Sequence, residues 1–142
     1  VLASVPIDER PLLLAIAERL AAERYRGWAA GAASEERRAG LLACAAREDE
    51  IATKVEAVFP DAAAVQERLR AAHPELVTVA DEIFGDRPQS EQFAIQAAGE
   101  RAGASAWRTL AAVVPEGPMR QVFLACAPLE EASAAYLESL TS

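Results

Sequence analysis

The sequence predicts an all-α fold: two helical hairpins joined by a long, partly helical crossover. Three observations lead there. Alanine fills 34 of the 142 positions, with 14 Leu and 17 Glu and only 6% aromatics, a mixture that favours helices and their close approach. Gly and Pro divide the chain into long segments, and no segment shows the apolar–polar alternation of a strand. The chain also resembles itself at a fixed offset.

The elements follow in order. A first long helix is expected over about 11–30, with Pro11 tolerated in its first turn and Asp8 placed to cap it. Gly31 to Ser34 forms a turn. Ser34 reads as the N-cap of a second helix, with Glu35 and Glu36 at the positive end of its dipole, and that helix stops at Pro60. Asp61 caps a short helix to about 72, His73-Pro74 breaks it, and a second short helix runs to Phe84 and is closed by Gly85. After a loop over 86–90, a third long helix covers about 91–114. Pro115 to Pro118 is a turn, and the fourth long helix runs over about 119–140, with Pro128 expected to kink or shift it.

Sliding the chain by 82 residues aligns 12–56 with 94–138. Fifteen of these 45 pairs are identical, against about five expected for so Ala-rich a composition. Seven are Ala pairs. The other eight are Glu18/Glu100, Arg19/Arg101, Arg26/Arg108, Arg38/Arg120, Leu42/Leu124, Cys44/Cys126, Glu48/Glu130 and Glu56/Glu138. The chain therefore reads as one domain over 1–142, with hairpins at 11–59 and 91–140 and a crossover at 60–90. Helices of about 24 residues are about 36 Å long. The crossover is long enough to return along the bundle, so the third long helix is expected to run parallel to the second.

Composition excludes several function classes. The net charge is −8, from 14 basic and 22 acidic residues, and Lys54 is the only Lys. An acidic chain with no basic block is a poor ligand for nucleic acid or an anionic membrane. No apolar run reaches the length of a membrane span. Val1 to Ile7 lacks the features of a signal peptide, although Val1 is not Met and leaves the natural start open. Two Cys and one His do not make a Cys/His zinc site or a disulfide framework. A reducing, cytoplasmic location is the default expectation.

Helical wheels place four carboxylates on inward faces. Glu18 lies among Leu14, Ala22, Tyr25 and Ala29. Glu48 centres an apolar stripe of Leu41, Cys44, Ile51, Ala52, Val55 and Phe59. Glu100 falls between Phe93, Ala104, Trp107 and Ala111, and Glu130 among Phe123, Cys126, Ala134 and Leu137. A buried carboxylate is costly unless it is paired, protonated or bound to a cation. One reading pairs these residues with Arg, Arg24 being nearest, or lets them snorkel from the bundle edge. The other is a carboxylate cluster for a small cationic group or for one or two metal ions; oxygen-only ligation suits hard cations, manganese and iron.

This pattern resembles the ferritin-like superfamily, in particular rubrerythrin-like and related di-iron carboxylate proteins. The resemblance implies a four-helix bundle with a long crossover, a ligand Glu on the first and third long helices, and Glu-x-x-His on the second and fourth. Glu18 and Glu100 match the first kind of ligand, and Glu48 and Glu130 match the Glu of the second. Tyr25 matches a Tyr often found beside such sites. Both histidines are missing: Ile51 and Ser133 stand in their places. The missing histidines favour a divergent, non-catalytic binding or scaffold bundle without a standard di-iron centre. The retained Glu set favours the alternative, a metal-binding, oxidoreductase-type protein with an all-carboxylate iron or manganese site of Glu18, Glu48, Glu100 and Glu130, with Tyr25 behind it. The first of these leads at this stage, and no catalytic residue is assigned. The resemblance also implies a homodimer; no small-molecule ligand is specified.

The remaining chemistry-bearing residues read as structural. Cys44 and Cys126 should lie on opposite sides of the Glu layer, about 12 Å apart along the axis, too far for a disulfide. His73 is expected at an exposed helix end, Trp28 and Trp107 in the core or an interface, and Arg19, Arg101, Arg26 and Arg108 on an outer, ion-paired face.

Overall fold

A computed structural model describes residues 1–141. Among them are six α-helices and no strand: α1 (Arg10–Ala30), α2 (Glu35–Ala57), α3 (Ala62–Ala72), α4 (Glu75–Ile83), α5 (Gln89–Val113) and α6 (Pro118–Thr141). Two short 3-10 turns, Leu2–Ser4 and Ile7–Glu9, precede them. The pairs α1–α2 and α5–α6 form the two hairpins, and α2 also packs against α6. α3 and α4 make up the crossover. No helix is long and apolar enough to cross a membrane.

The directions follow from side-chain contacts. Arg24 meets Gln96 while Trp28, one turn later, meets Gln92, one turn earlier, so α1 and α5 are antiparallel. Because α1 is also antiparallel to its hairpin partner α2, α2 and α5 run the same way, as the crossover length requires.

Local chemistry explains most boundaries. Ser34 is extended, and its hydroxyl accepts the Arg37 amide at 3.1 Å, which caps α2. Gly85 takes φ +46° as the chain leaves α4. The Asp61 side chain makes no capping bond to α3, and Asp8 does not cap α1. The amides of Glu9 and Arg10 bond to the Pro6 carbonyl through the 3-10 turn instead, so no side-chain acceptor is needed there. α6 runs unbroken through Pro128, which sits on an exposed face, where water can serve the carbonyl one turn back.

The interior forms two apolar clusters. One gathers Ala15, Ile51, Val55, Trp107, Phe123 and Cys126; the other gathers Ala22, Tyr25, Leu41, Cys44, Phe93 and Leu137. A third cluster docks Val65 and Leu69 of α3 against Leu12, Leu13 and Ile16 of α1. Outside, Arg19 bonds Asp49 and Glu56, and Arg26 bonds Asp49. At the same 82-residue offset, Arg101 bonds Glu138 and Arg108 bonds Glu131. These pairs lace each hairpin across its solvated face, where each contributes at most about 1 kcal/mol.

Candidate metal centre

Four carboxylates, one from each long helix, form a layer between the first two apolar clusters. Along each helix the Glu lies between residues of one cluster and residues of the other: Glu18 between Ala15 and Ala22, and Glu48 between Ala45 and Ile51. All four are buried, with exposures of 8% for Glu18, 0% for Glu48, 2% for Glu100 and 1% for Glu130. Glu18, Glu48 and Glu130 each present an oxygen, and these three oxygens lie within 4.8 Å of one another.

None of the four carboxylates pairs with an Arg or Lys among the described residues. Arg24, the partner considered from sequence, is turned away. It donates to Gln96 at 2.7 Å and lies over the Phe84 ring, 4.3 Å from its centroid.

The donors are unevenly shared. Glu100 Oε1 accepts the Tyr25 hydroxyl at 2.6 Å and the Gln96 amide at 2.7 Å. Glu130 Oε1 accepts the Trp107 indole at 2.8 Å. Glu48 Oε1 accepts the Ser133 hydroxyl at 3.2 Å, and Ser133 is itself held by Arg47 at 3.0 Å. Glu18 has only other carboxyls as partners, Glu48 and Glu130. Glu48 Oε2 is fully buried, and no donor reaches it.

The 82-residue symmetry breaks at this point. Tyr25 crosses from α1 to Glu100 on α5, and its counterpart Trp107 would cross back to Glu18. Trp107 turns instead to Glu130 in its own hairpin. Glu18 and Glu48 Oε2 are left as the donor-poor side of the layer.

Burial dominates the electrostatics. It raises Glu18 well above the usual carboxylate range, and the facing Glu48 and Glu130 add to the rise. Burial holds Glu48 at about 7, although a shared proton from Glu18 eases its ionisation. Glu130 is pushed up to about 10 by burial and by its hydrogen bond with Glu100. The Tyr25 phenol is pushed far up, first by burial and then by the Glu100 charge, and stays protonated. Without a cation the cluster must therefore keep protons. A cation can displace them, and it would meet at least three carboxylate oxygens that no Arg or Lys pairs with directly among the described residues; Arg47 acts on Glu48 only from behind Ser133.

Space has been left for this arrangement. A Cβ at Gly103 would lie 2.6 Å from Glu130 Oε1, so the bare glycine makes room for that carboxylate. The Glu-x-x-His positions show why a standard di-iron set does not fit: Ile51 is buried in an apolar cluster, and Ser133 spends its hydroxyl on Glu48. The two cysteines are free and buried. Burial raises both thiols, Cys126 to about 12 with help from Glu130, so neither is a ready thiolate.

Sequence reasoning placed all four Glu residues on inward faces and Tyr25 beside one of them. It missed Gln96, Arg47, Ser133, Gly103 and the role of Trp107. Comparison of the chain with models of protein families, with curated proteins and with solved structures finds no match.

Proposed function

We propose that the protein binds a single hard divalent cation, manganese or ferrous iron, through Glu18, Glu48 and Glu130. Two observations carry this reading together: Glu48 Oε2 is a fully buried carboxylate oxygen with no hydrogen-bond donor, and Glu18, Glu48 and Glu130 each bring an oxygen within 4.8 Å of the others. A buried acceptor left without a donor costs about 1–3 kcal/mol, and a cation removes that cost. This favours the metal-binding alternative over a metal-free scaffold.

Glu100 plays a different part in this reading. Two donors hold one of its oxygens, and the carboxyl also hydrogen-bonds with Glu130. It orients Glu130. Trp107 and Ser133 fix the directions of Glu130 and Glu48, as outer partners of metal ligands do. A redox-active ion held here would supply Lewis-acid or one-electron chemistry. The surrounding apolar clusters exclude water from both ends of the layer.

A ferritin-like relationship is part of the proposal. It is supported by the two hairpins, the long crossover, one inward Glu per long helix and the matched Arg ion pairs at one offset, which we read as the trace of a duplicated hairpin. The experiment is metal analysis of protein purified without chelator or affinity tag, beside the Glu48→Ala/Glu130→Ala double variant. About one equivalent of manganese or iron is expected, and none in the variant. No metal in the wild type, together with no uptake of added Mn²⁺ in equilibrium dialysis, overturns the reading.

A further inference from the structure

A cavity of about 690 Å³ lies between α1, α4 and the segment that leads from α4 to α5, and none of the four layer carboxylates lines it. The volume is that of a small-molecule site. Its apolar wall is Leu20 and Trp28 of α1, Leu76, Val77 and Ala80 of α4, and Phe84. The α1 side of this wall is fixed. The Trp28 ring meets Phe84 and Phe93 edge-on, and its indole donates to Gln92 at 2.8 Å. Gln92 spends its own amide on the Arg87 carbonyl at 3.0 Å. α4, the outer wall, buries no residue of its own and leaves Val77 68% exposed.

Four charged side chains line the cavity: Glu23, Arg24, Asp81 and Asp86. Glu23 is exposed and paired with Arg26. Asp81 and Asp86 are exposed and form no ion pair among the described residues. Arg24 is half-buried and forms none either, although three carboxylates share its cavity. One of its N–H groups goes to Gln96, and the guanidinium is held over Phe84. The other N–H groups meet no acceptor among the described residues. Burial lowers the Arg24 pKa, and the charges of Tyr25, Glu100 and Glu48 offset only part of that. A positioned, partly desolvated guanidinium with a free edge is a receptor for a carboxylate.

The two aspartates narrow the choice. A ligand with only a carboxylate must settle beside Asp81 and Asp86. A ligand with only an ammonium must settle beside Arg24. A ligand that carries both charges next to one another meets a partner of opposite sign at each. We propose that this cavity binds a zwitterionic α-amino acid with a large apolar side chain, its carboxylate on Arg24, its ammonium toward Asp81 and Asp86, and its side chain against Trp28, Leu20 and Val77. The inference does not depend on the metal reading.

The test uses the full chain, metal-free, with amide chemical shifts followed by NMR. L-Phenylalanine and L-leucine are titrated beside 3-phenylpropanoate, which lacks the ammonium, and 2-phenylethylamine, which lacks the carboxylate. An amino acid should move amides of α4 and of residues 84–86, with each one-charge analogue weaker by about tenfold or more. Arg24→Gln should lose about tenfold or more in amino-acid affinity. Asp81→Asn/Asp86→Asn alters two exposed side chains and leaves the core untouched; it should weaken the amino acid and leave 3-phenylpropanoate bound as well as before or better. The proposal falls if neither amino acid binds, if either analogue binds as tightly as L-phenylalanine, or if both variants bind the amino acid as wild type does. It falls equally if the shifts centre on Gly99 and Gly103, in the neighbouring seam that Arg24 also borders.

Discussion

Glu48→Gln separates the cost of the buried charge from the benefit of the buried side chain. In the folded protein burial lifts Glu48 from 4.5 to about 7. A shift of about 2.5 units corresponds to about 3 kcal/mol between the two protonation states. Because the folded value is raised, the stabilising contribution is complete below about 4.5 and is lost as pH rises through about 7. At pH 8 the metal-free wild type has given up that roughly 3 kcal/mol. Gln at this position cannot ionise. Its carbonyl oxygen can still accept the Ser133 hydroxyl, and its amide nitrogen replaces the oxygen that has no donor, facing Glu18. In chelator, the variant should therefore be more stable than wild type at pH 8 by about 3 kcal/mol, a rise in Tm of roughly 10 °C, and nearly equal at pH 4.5. Added Mn²⁺ should reverse the order at pH 8, because only the wild type gains binding energy. Urea unfolding followed by circular dichroism measures each case. A variant less stable than wild type at pH 8 in chelator, or one equally stabilised at both pH values, would refute the reasoning.

Three further outcomes follow from the same geometry. Mn²⁺ affinity should rise with pH between about 6 and 8, by about a hundredfold or more per unit, because the ion must displace protons held by Glu18 and Glu130 throughout and by Glu48 below about 7; calorimetry in buffers of different ionisation enthalpy counts them, and a pH-independent affinity contradicts the protonated cluster. Gly103→Ala places a methyl 2.6 Å from Glu130 Oε1 but improves helix propensity by about 1 kcal/mol, so denaturation should show stability held or raised while equilibrium dialysis shows metal affinity down by about tenfold or more. Tyr25→Phe removes one of the two donors on Glu100 Oε1 and should cost about 1–2 kcal/mol in urea unfolding, while metal analysis still finds one equivalent; loss of the metal would make Glu100 a ligand.

The parts of the molecule that were legible in the sequence are those governed by periodicity. A Glu in the middle of an apolar stripe, as at Glu48, can only point inward, and the 82-residue offset repeats that statement for Glu130. The crossover length set the direction of α5 because a chain must travel the length of a bundle to begin again at the same end. What stayed hidden depends on side-chain reach across helices. Gln96 and Arg47 are long polar residues at the flanks of apolar stripes, where a wheel cannot tell a surface residue from one that turns in. The signals were present: Gln96 lies four residues before Glu100, and Ser133 occupies the position where a histidine was sought. The convergence of Glu18, Glu48 and Glu130, with Glu100 held aside, hangs on which carboxylate Trp107 chooses. No pattern on a single helix encodes that choice. Asp8 misled for a related reason, since the Pro6 carbonyl already served the amides at the start of α1.

The carboxylate layer also acts as an alignment mark. Helices built so largely of Ala and Leu have little to stop them sliding, because one small apolar residue packs much like the next. Moving any one helix by a single turn, about 5.4 Å, would push its Glu out of the layer and into Ala, Leu or Phe contacts, where an unpartnered charge or acid is far more costly than a misplaced methyl group. All four helices carry such a mark, so each slipped arrangement is penalised at whichever helix has moved. The same residues that make the centre costly to bury thereby keep an alanine-rich bundle in one vertical register.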